Sequence, residues 1–307
     1  MQRVLGNRSP YYRASYMKTK ALRIFVAFSL SMLMVAPISV ELVNAQSAPP
    51  AKIPARSEGA MTGSEFARYT LSMDRSDREE AILDQLLKGN FPGFLRRLKP
   101  VRLAHTFEDG KTTTATLFVM PDYLSIGSDR DFFLIPMTLY TATRIAMQYG
   151  FLLPTKKIVD AIFEQSAFHF VPEPMKPGDQ MVSTAYFLRH NEKIKKQRLN
   201  LFCPLGALLS GHKKDVVVTN RLAHEIGKIA IYGWHRLTGI PIQPLSTVHD
   251  ATYADYSHGI RLVSDVVLID QEPKSLYSVL EDPRLAKVVS DEGPIRSIRQ
   301  MMTPTHQ

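Results

Sequence analysis

Val101-Arg102-Leu103-Ala104-His105-Thr106-Phe107, then Glu108-Asp109-Gly110-Lys111, then Thr112-Thr113-Thr114-Ala115-Thr116-Leu117-Phe118-Val119 is the stretch that decides the fold class. Two runs rich in β-branched and aromatic residues flank a short turn signal, so they predict a β-hairpin with antiparallel strands. Helical patterns surround it. On the N-terminal side, Ser64–Met73 and Arg75–Lys88 read as helices; Ile82, Leu83, Leu86 and Leu87 recur at helical spacing, Ser76 is a cap candidate and Gly89-Asn90 a stop. On the C-terminal side, Met137–Tyr149 and Thr155–Gln165 read as helices, the second opened by Pro154-Thr155.

From Asp215 onward the character changes to short β runs, Val216–Val218, Ile229–Tyr232, Ile260–Val263 and Val266–Ile269, with one short helix over Ser275–Leu280. The expected class is therefore α+β, with helices mainly in the N-terminal half and a short-stranded, mainly antiparallel sheet in the C-terminal half. Residues 64–307 are expected to form one such domain, with a possible subdivision near 200.

The chain has 307 residues and a formal net charge of +9. Much of that charge is local: Arg3, Arg8, Arg13, Lys18, Lys20 and Arg23 face only Glu41 within residues 1–45. The remaining mild excess makes no case for a nucleic-acid partner. The same segment runs from basic residues through an apolar stretch, Ile24–Ile38, to small residues at Val43 and Ala45, the layout of a secretory signal. The apolar run is shorter than the ~20 residues that span a bilayer, so no membrane span is expected after cleavage. Residues 46–63, rich in Ala, Pro and Ser, read as a disordered linker. The expected location is periplasmic or secreted, and Cys203, the only cysteine, has no partner for an intramolecular disulfide.

Polar chemistry concentrates late in the chain. His212, His224, His235, His249 and His258 fall within 47 positions, accompanied by Asp215, Asp250 and Asp255. Such groups on short strands and loops can converge on a proton-transfer or metal site. Their spacing matches no zinc motif, but a divalent metal such as zinc held by some of His212, Asp215, His235 and His258 is an expectation to test. Lys213 and Lys214 read as exposed turn residues. Ile229–His235 is a strand that delivers the only tryptophan, Trp234, and then His235.

Tyr253-Ala254-Asp255-Tyr256-Ser257-His258-Gly259-Ile260-Arg261 is the densest polar-aromatic segment. It resembles the active-site segment of the L,D-transpeptidases, periplasmic enzymes that cross-link the cell wall through a Ser-His-Gly-Cys motif followed shortly by Arg. Ser257, His258, Gly259 and Arg261 match, and His235 stands where that family has an upstream histidine base. Ile260 occupies the nucleophile position, and an aliphatic side chain cannot form an acyl-enzyme. Alternation along an extended strand would put Asp255 and Ser257 on one face and Tyr256 and His258 on the other, which argues against a local triad.

The expected function is an exported hydrolase or transferase acting on a cell-wall or other envelope component. His235, Asp255 and His258 would be its catalytic groups, and Trp234, Tyr256 and Arg261 its substrate contacts. The alternative is a non-catalytic envelope-binding protein on a transpeptidase-like scaffold. His235 and His258 would end neighbouring strands and line one cleft, with Arg261 at its rim. For the leader, intact-mass analysis of exported protein should give a chain beginning at Gln46; a chain retaining Ile24–Ile38 in the envelope fraction would indicate an anchor instead.

Overall fold

The computed structural model describes residues 52–301; the expected leader and its cleavage point lie outside them. The part of the expected linker that is described is tied down. Ile53 is buried, its carbonyl accepts from Arg96 at 2.8 Å, and Arg56 Nε donates to Asn90 Oδ1 at 2.8 Å. Ordered contacts therefore begin about ten residues before Ser64.

Helix α1 (Gly63–Tyr69) starts from a Thr62–Glu65 capping box. Helix α2 (Arg75–Leu87) is capped by Asp74, whose side chain accepts from the Asp77 amide, rather than by Ser76. The hairpin follows as β1 (Lys99–Thr106) and β2 (Thr112–Val119), paired in full register from Lys99↔Val119 to Thr106↔Thr112. A short pair, β3 (Ser125–Gly127) and β4 (Phe132–Leu134), leads to α3 (Leu139–Tyr149), which ends at Gly150 in the left-handed region. Then come β5 (Phe151–Leu152), α4 (Lys156–Gln165), β6 (Phe168–His169) and α5 (Thr184–Asn200).

The rest is mostly short strands: β7 (Leu209–Ser210), β8 (Lys214–Val216), β9 (Ile231–His235), β10 (Pro241–Ser246), β11 (His258–Gly259), β12 (Val263–Ser264), β13 (Val266–Ile269) and β14 (Glu272–Ser275). Short helices α6 (Leu276–Glu281), α7 (Ala286–Val289) and α8 (Ile298–Met301) follow. The class is α+β, with helix mostly N-terminal, strand mostly C-terminal and antiparallel pairing dominant.

One sheet runs β14-β13-β2-β12-β5, with β1 also on β2; the other runs β10-β9-β8-β11. Strand β2 is the hinge of the first sheet: β1 holds one edge, while Leu268 and Ile269 of β13 and Val263 of β12 share the other. A continuous apolar core reaches from Phe66 and Ile82 through Leu117, Val119, Ile145 and Leu152 to Val263 and Ile298.

Helix α5 has no counterpart in the sequence reading. Its buried face is Thr184, Tyr186, Phe187, His190, Asn191 and Ile194, too polar to give an apolar period. Those polar groups have a use. The Asn191 amide accepts from Leu134 N and donates to Leu134 O, both at 2.9 Å, and Gln197 does the same to Val171 at 2.9 and 3.0 Å. On α4, Gln165 clamps both backbone groups of Arg102. Each amide satisfies backbone groups that would otherwise lack a partner.

Strand β8 starts two residues earlier than Val216, so Lys214 and Asp215 lie within it rather than in a solvated turn, and Lys213 is buried. Strand β9 extends to His235, taking Trp234 with it. The expected run Ile260–Val263 is divided: β11 ends at Gly259, and β12 begins at Val263 in the other sheet. Gly259 sits under an aromatic ring, since an added Cβ would come within 2.6 Å of Tyr123 and 2.8 Å of the Lys213 Cβ. Gly259→Ala should therefore destabilise the protein by about 1–3 kcal/mol in denaturant unfolding; an unchanged midpoint would show that Tyr123 does not pack on this strand.

Candidate functional site

Strand β11 pairs parallel to β8, with His258 beside Lys214 and Gly259 beside Asp215. Adjacent residues of one strand point to opposite faces, so this register sorts the polar side chains into two groups. Lys214 and His258 belong to one, and Asp215 with the ring packed over Gly259 to the other.

In the first group His258 is wholly buried, and neither ring nitrogen has a hydrogen-bond partner. Its Nε2 lies 4.0 Å from Asp255 Oδ2. The segment is not extended here: the His258 amide donates to the Asp255 carbonyl at 3.1 Å, a turn that brings the two side chains together and overturns the expected separation by alternation. Asp255 Oδ1 accepts from the Ser257 amide at 2.7 Å and the Ser257 hydroxyl at 2.6 Å, and Oδ2 accepts from Tyr253 Oη at 3.2 Å. Tyr253 stacks on His249, with ring centres 4.2 Å apart, and stands edge-on to His258 at 5.7 Å. Both Tyr253 and His249 are partly exposed, whereas Ser257, Asp255 and His258 are buried behind them.

Burial brings the His258 pKa down to about 4 against the pull of Asp255, so the imidazole is neutral at physiological pH. Burial opposes the charge on Asp255, but His258, the Ser257 donors and Lys214 outweigh it and keep the carboxyl below its usual range. Burial also lowers the pKa of Lys214, whose ammonium lies 5.5 Å from the centre of the Trp234 ring. Burial and Asp255 together raise the Tyr253 phenol to about 12.

The second group is a buried network in which Asp215 Oδ1, Arg261 Nε and His212 Nδ1 make no hydrogen bond, and burial raises the Asp215 carboxyl to about 6. Asp215 Oδ2 accepts from Tyr123 Oη at 2.8 Å. Arg261 is buried, not at a rim: it lies over the Tyr123 ring at 4.3 Å and donates to the carbonyls of Met120 and Leu209 at 2.9 and 2.6 Å. Asp122 accepts from His212 Nε2 at 3.0 Å and from Arg198 at 2.6 Å. Burial opposes its charge, yet these two donors hold its pKa at about 2. Lys213 donates to the Tyr256 carbonyl at 2.6 Å, and burial lowers its pKa to about 7.

His235 belongs to neither group. Its Nε2 is 3.0 Å from Asp160 Oδ1 on α4, which also accepts from Tyr232 Oη at 2.7 Å, while Lys156 holds Asp160 Oδ2 at 2.9 Å. The ring stacks on Phe163 at 4.7 Å. Strand β8 lies between β9 and β11, so His235 and His258 are not on neighbouring strands and do not line one cleft. Trp234 is buried and edge-on to His190 and Tyr256, and Tyr256 Oη accepts from the Met175 amide at 2.8 Å; both are core residues.

The expected zinc set does not assemble. His212 is committed to Asp122 and Asp215 to Tyr123, and among the described residues no group of three or more His, Cys, Asp or Glu is arranged to hold a metal ion. Cys203 is buried beside Arg198, and burial raises its pKa, so it offers no activated thiolate. Of the expected catalytic residues, the structure brings together Asp255 and His258. It adds Lys214, His249, Tyr253 and Ser257, which sequence reasoning did not assign to the site. The Lys213-Lys214-Asp215 triplet running directly into an apolar strand was the available signal for Lys214.

Among the described residues no helix is long and apolar enough to cross a membrane. The chain matches no family model, no curated protein and no solved structure.

Two outcomes follow for the buried groups. Cys203→Ser should leave folding intact and native protein should react slowly with a thiol reagent; rapid labelling would contradict the burial. Asp122→Asn should cost about 2–4 kcal/mol near neutral pH, because it leaves the half-buried Arg198 and the buried His212 without their carboxylate. The folded carboxyl titrates near 2 and an unfolded one near ~3.9. Its contribution is therefore complete above about pH 4 and lost as the pH falls through 2, so the gap between wild type and variant should narrow in that window.

Proposed function

We propose that the chain is an exported hydrolase or transferase acting on a cell-envelope substrate, with Asp255, His258 and Lys214 as its reactive groups. The observation that carries this reading is His258 itself: a wholly buried, neutral imidazole with two unpartnered nitrogens beside an anionic carboxylate. A neutral imidazole can take a proton from water or an acceptor amine or hydroxyl and return it to the leaving group. Asp255, fixed by Ser257 and Tyr253, stabilises the imidazolium as it forms. Lys214, next to His258 across the strand pair, offers positive charge to an oxyanion developing on the substrate. His249 and Tyr253, both partly exposed, cover this pair on its solvent side.

The envelope substrate rests on the leader-like N terminus and on the resemblance of Ser257-His258-Gly259-x-Arg261 to the L,D-transpeptidase segment. The chemistry differs from that family's in needing no acyl-enzyme. Ile260 is buried and inert, and the Ser257 hydroxyl donates to Asp255 rather than to an imidazole. That same lack of a nucleophile favours a second reading, a binding protein that uses this group of residues without turnover.

Purified cell-wall sacculi decide between them. Wild-type protein should release soluble fragments, and His258→Ala should lower the rate about 10²-fold or more while circular dichroism and melting temperature stay close to wild type. Cosedimentation without release would establish the binding protein. Neither binding nor release would exclude the envelope substrate.

A further inference from the structure

Helix α5 ends in a turn whose side chains serve neither the backbone nor the core. The helix closes in a Schellman motif: the Phe202 amide donates to the Leu199 carbonyl at 3.1 Å and the Cys203 amide to the Arg198 carbonyl at 3.0 Å. The residue just past the cap in this motif is left-handed, and Phe202 takes that conformation with φ 48°. Glycine is the usual occupant, as Gly150 is after α3, because a bulky side chain is strained there. Packing gives nothing in return, since Phe202 is 90% exposed. Leu199 is 74% exposed, and Leu201 and Leu205 are exposed as well, so four large apolar side chains project within seven positions while Cys203 turns inward.

The flank of this apolar knuckle is basic. No Asp or Glu occurs from Lys193 through Lys214, and Lys193, Lys195, Lys196 and Arg198 fall in the C-terminal half of α5. Glu173, Glu192 and Asp122 hold Lys193, Lys195 and Arg198 at 2.8, 2.9 and 2.6 Å. Lys196 is exposed three residues before Leu199, on the same side of the helix, and acts on Glu173 only from beyond ion-pair distance. A further cation comes from outside the helix. The exposed Arg97 lies beside the turn, its guanidinium 3.4 Å from where a Cβ on Gly206 would stand.

We infer that residues 199–205 form a peripheral anchor for an anionic lipid bilayer, with Leu199 and Phe202 inserted and Lys196 and Arg97 on the lipid phosphates. Apolar side chains at the boundary of head groups and acyl chains, with long cationic side chains reaching the phosphates, satisfy both parts of the knuckle at once. A pocket on a partner protein would reward the apolar tip alone; the exposed cations at its base favour lipid. The contact needs no membrane-crossing helix, and it rests on the α5 turn alone, apart from the reading of His258.

The basic leader would add its own affinity for vesicles to any chain that retains it, so the readout is taken at residue 202. Purified Phe202→Trp protein is mixed with vesicles of three parts phosphatidylcholine to one part phosphatidylglycerol carrying brominated acyl chains, and its emission is compared with that of wild type, whose only tryptophan is the buried Trp234. The added indole should shift to the blue and be quenched. Lys196→Glu or Arg97→Glu in that background, or phosphatidylcholine vesicles alone, should weaken this insertion roughly fivefold or more. No quenching by the anionic vesicles, or equal quenching after charge reversal and without the anionic lipid, would overturn the anchor. Phe202→Gly should melt close to or above the wild-type temperature, because glycine relieves the left-handed residue; a clear loss of stability would mean that Phe202 is kept for folding and would also overturn it. A dimer in sedimentation that Phe202→Gly dissociates would assign the knuckle to a second copy of the chain instead.

Discussion

The two-residue parallel pairing of β11 on β8 is the constraint on which the rest of the polar architecture depends. It inserts the charged triplet Lys213-Lys214-Asp215 between packed layers and obliges the protein to find a partner for each charge. Removing an ion from water costs several kcal/mol unless geometry and hydrogen bonding repay it. Asp215 is met by Tyr123 with Arg261 behind it, and Lys213 by the Tyr256 carbonyl. Gly259 is required at the crossing because Tyr123 lies where a side chain would be. A one-residue slip of either strand would exchange the two faces and strand every one of these groups.

The contrast between the faces separates scaffold from reactivity. On the Asp215 face, Asp122 holds Arg198 and His212 at once, and Arg261 is spent on two carbonyls and an aromatic ring. Most donors and acceptors of that network are taken, and only Asp215 Oδ1, Arg261 Nε and His212 Nδ1 among these groups make no hydrogen bond. On the Lys214 face, Asp255 is held by Ser257 and Tyr253, but His258 beside it makes no hydrogen bond through its ring. His235, bonded to Asp160 and stacked on Phe163, is built like an oriented histidine, yet it serves to pin β9 to α4.

Elements whose residues alternate or repeat cleanly were legible in the sequence. The β1–β2 hairpin, α2, α4 and β13 lie where turn chemistry and apolar period put them. Helix α5 was not, because its inner face carries Thr184, His190 and Asn191 as hydrogen-bonding tools rather than apolar contacts. The pairing of Asp255 with His258 depends on a tight turn that strand alternation does not describe, and β8 was displaced because charged residues at a strand start resemble a loop. The contributions of Asp122, Tyr123 and Asp160 arise from contacts over 70 or more residues, as in Asp160 to His235, for which local pattern holds no signal.

The measurement that bears most directly on the account is a titration of the His258 ring by long-range ¹⁵N–¹H correlation spectroscopy on the purified protein. A buried imidazole beside Asp255 should keep the nitrogen shifts of the neutral ring through pH 6 and 5 and gain its second proton only near 4. An ordinary titration near ~6.5 would mean that His258 faces water, and the site described around it would not exist.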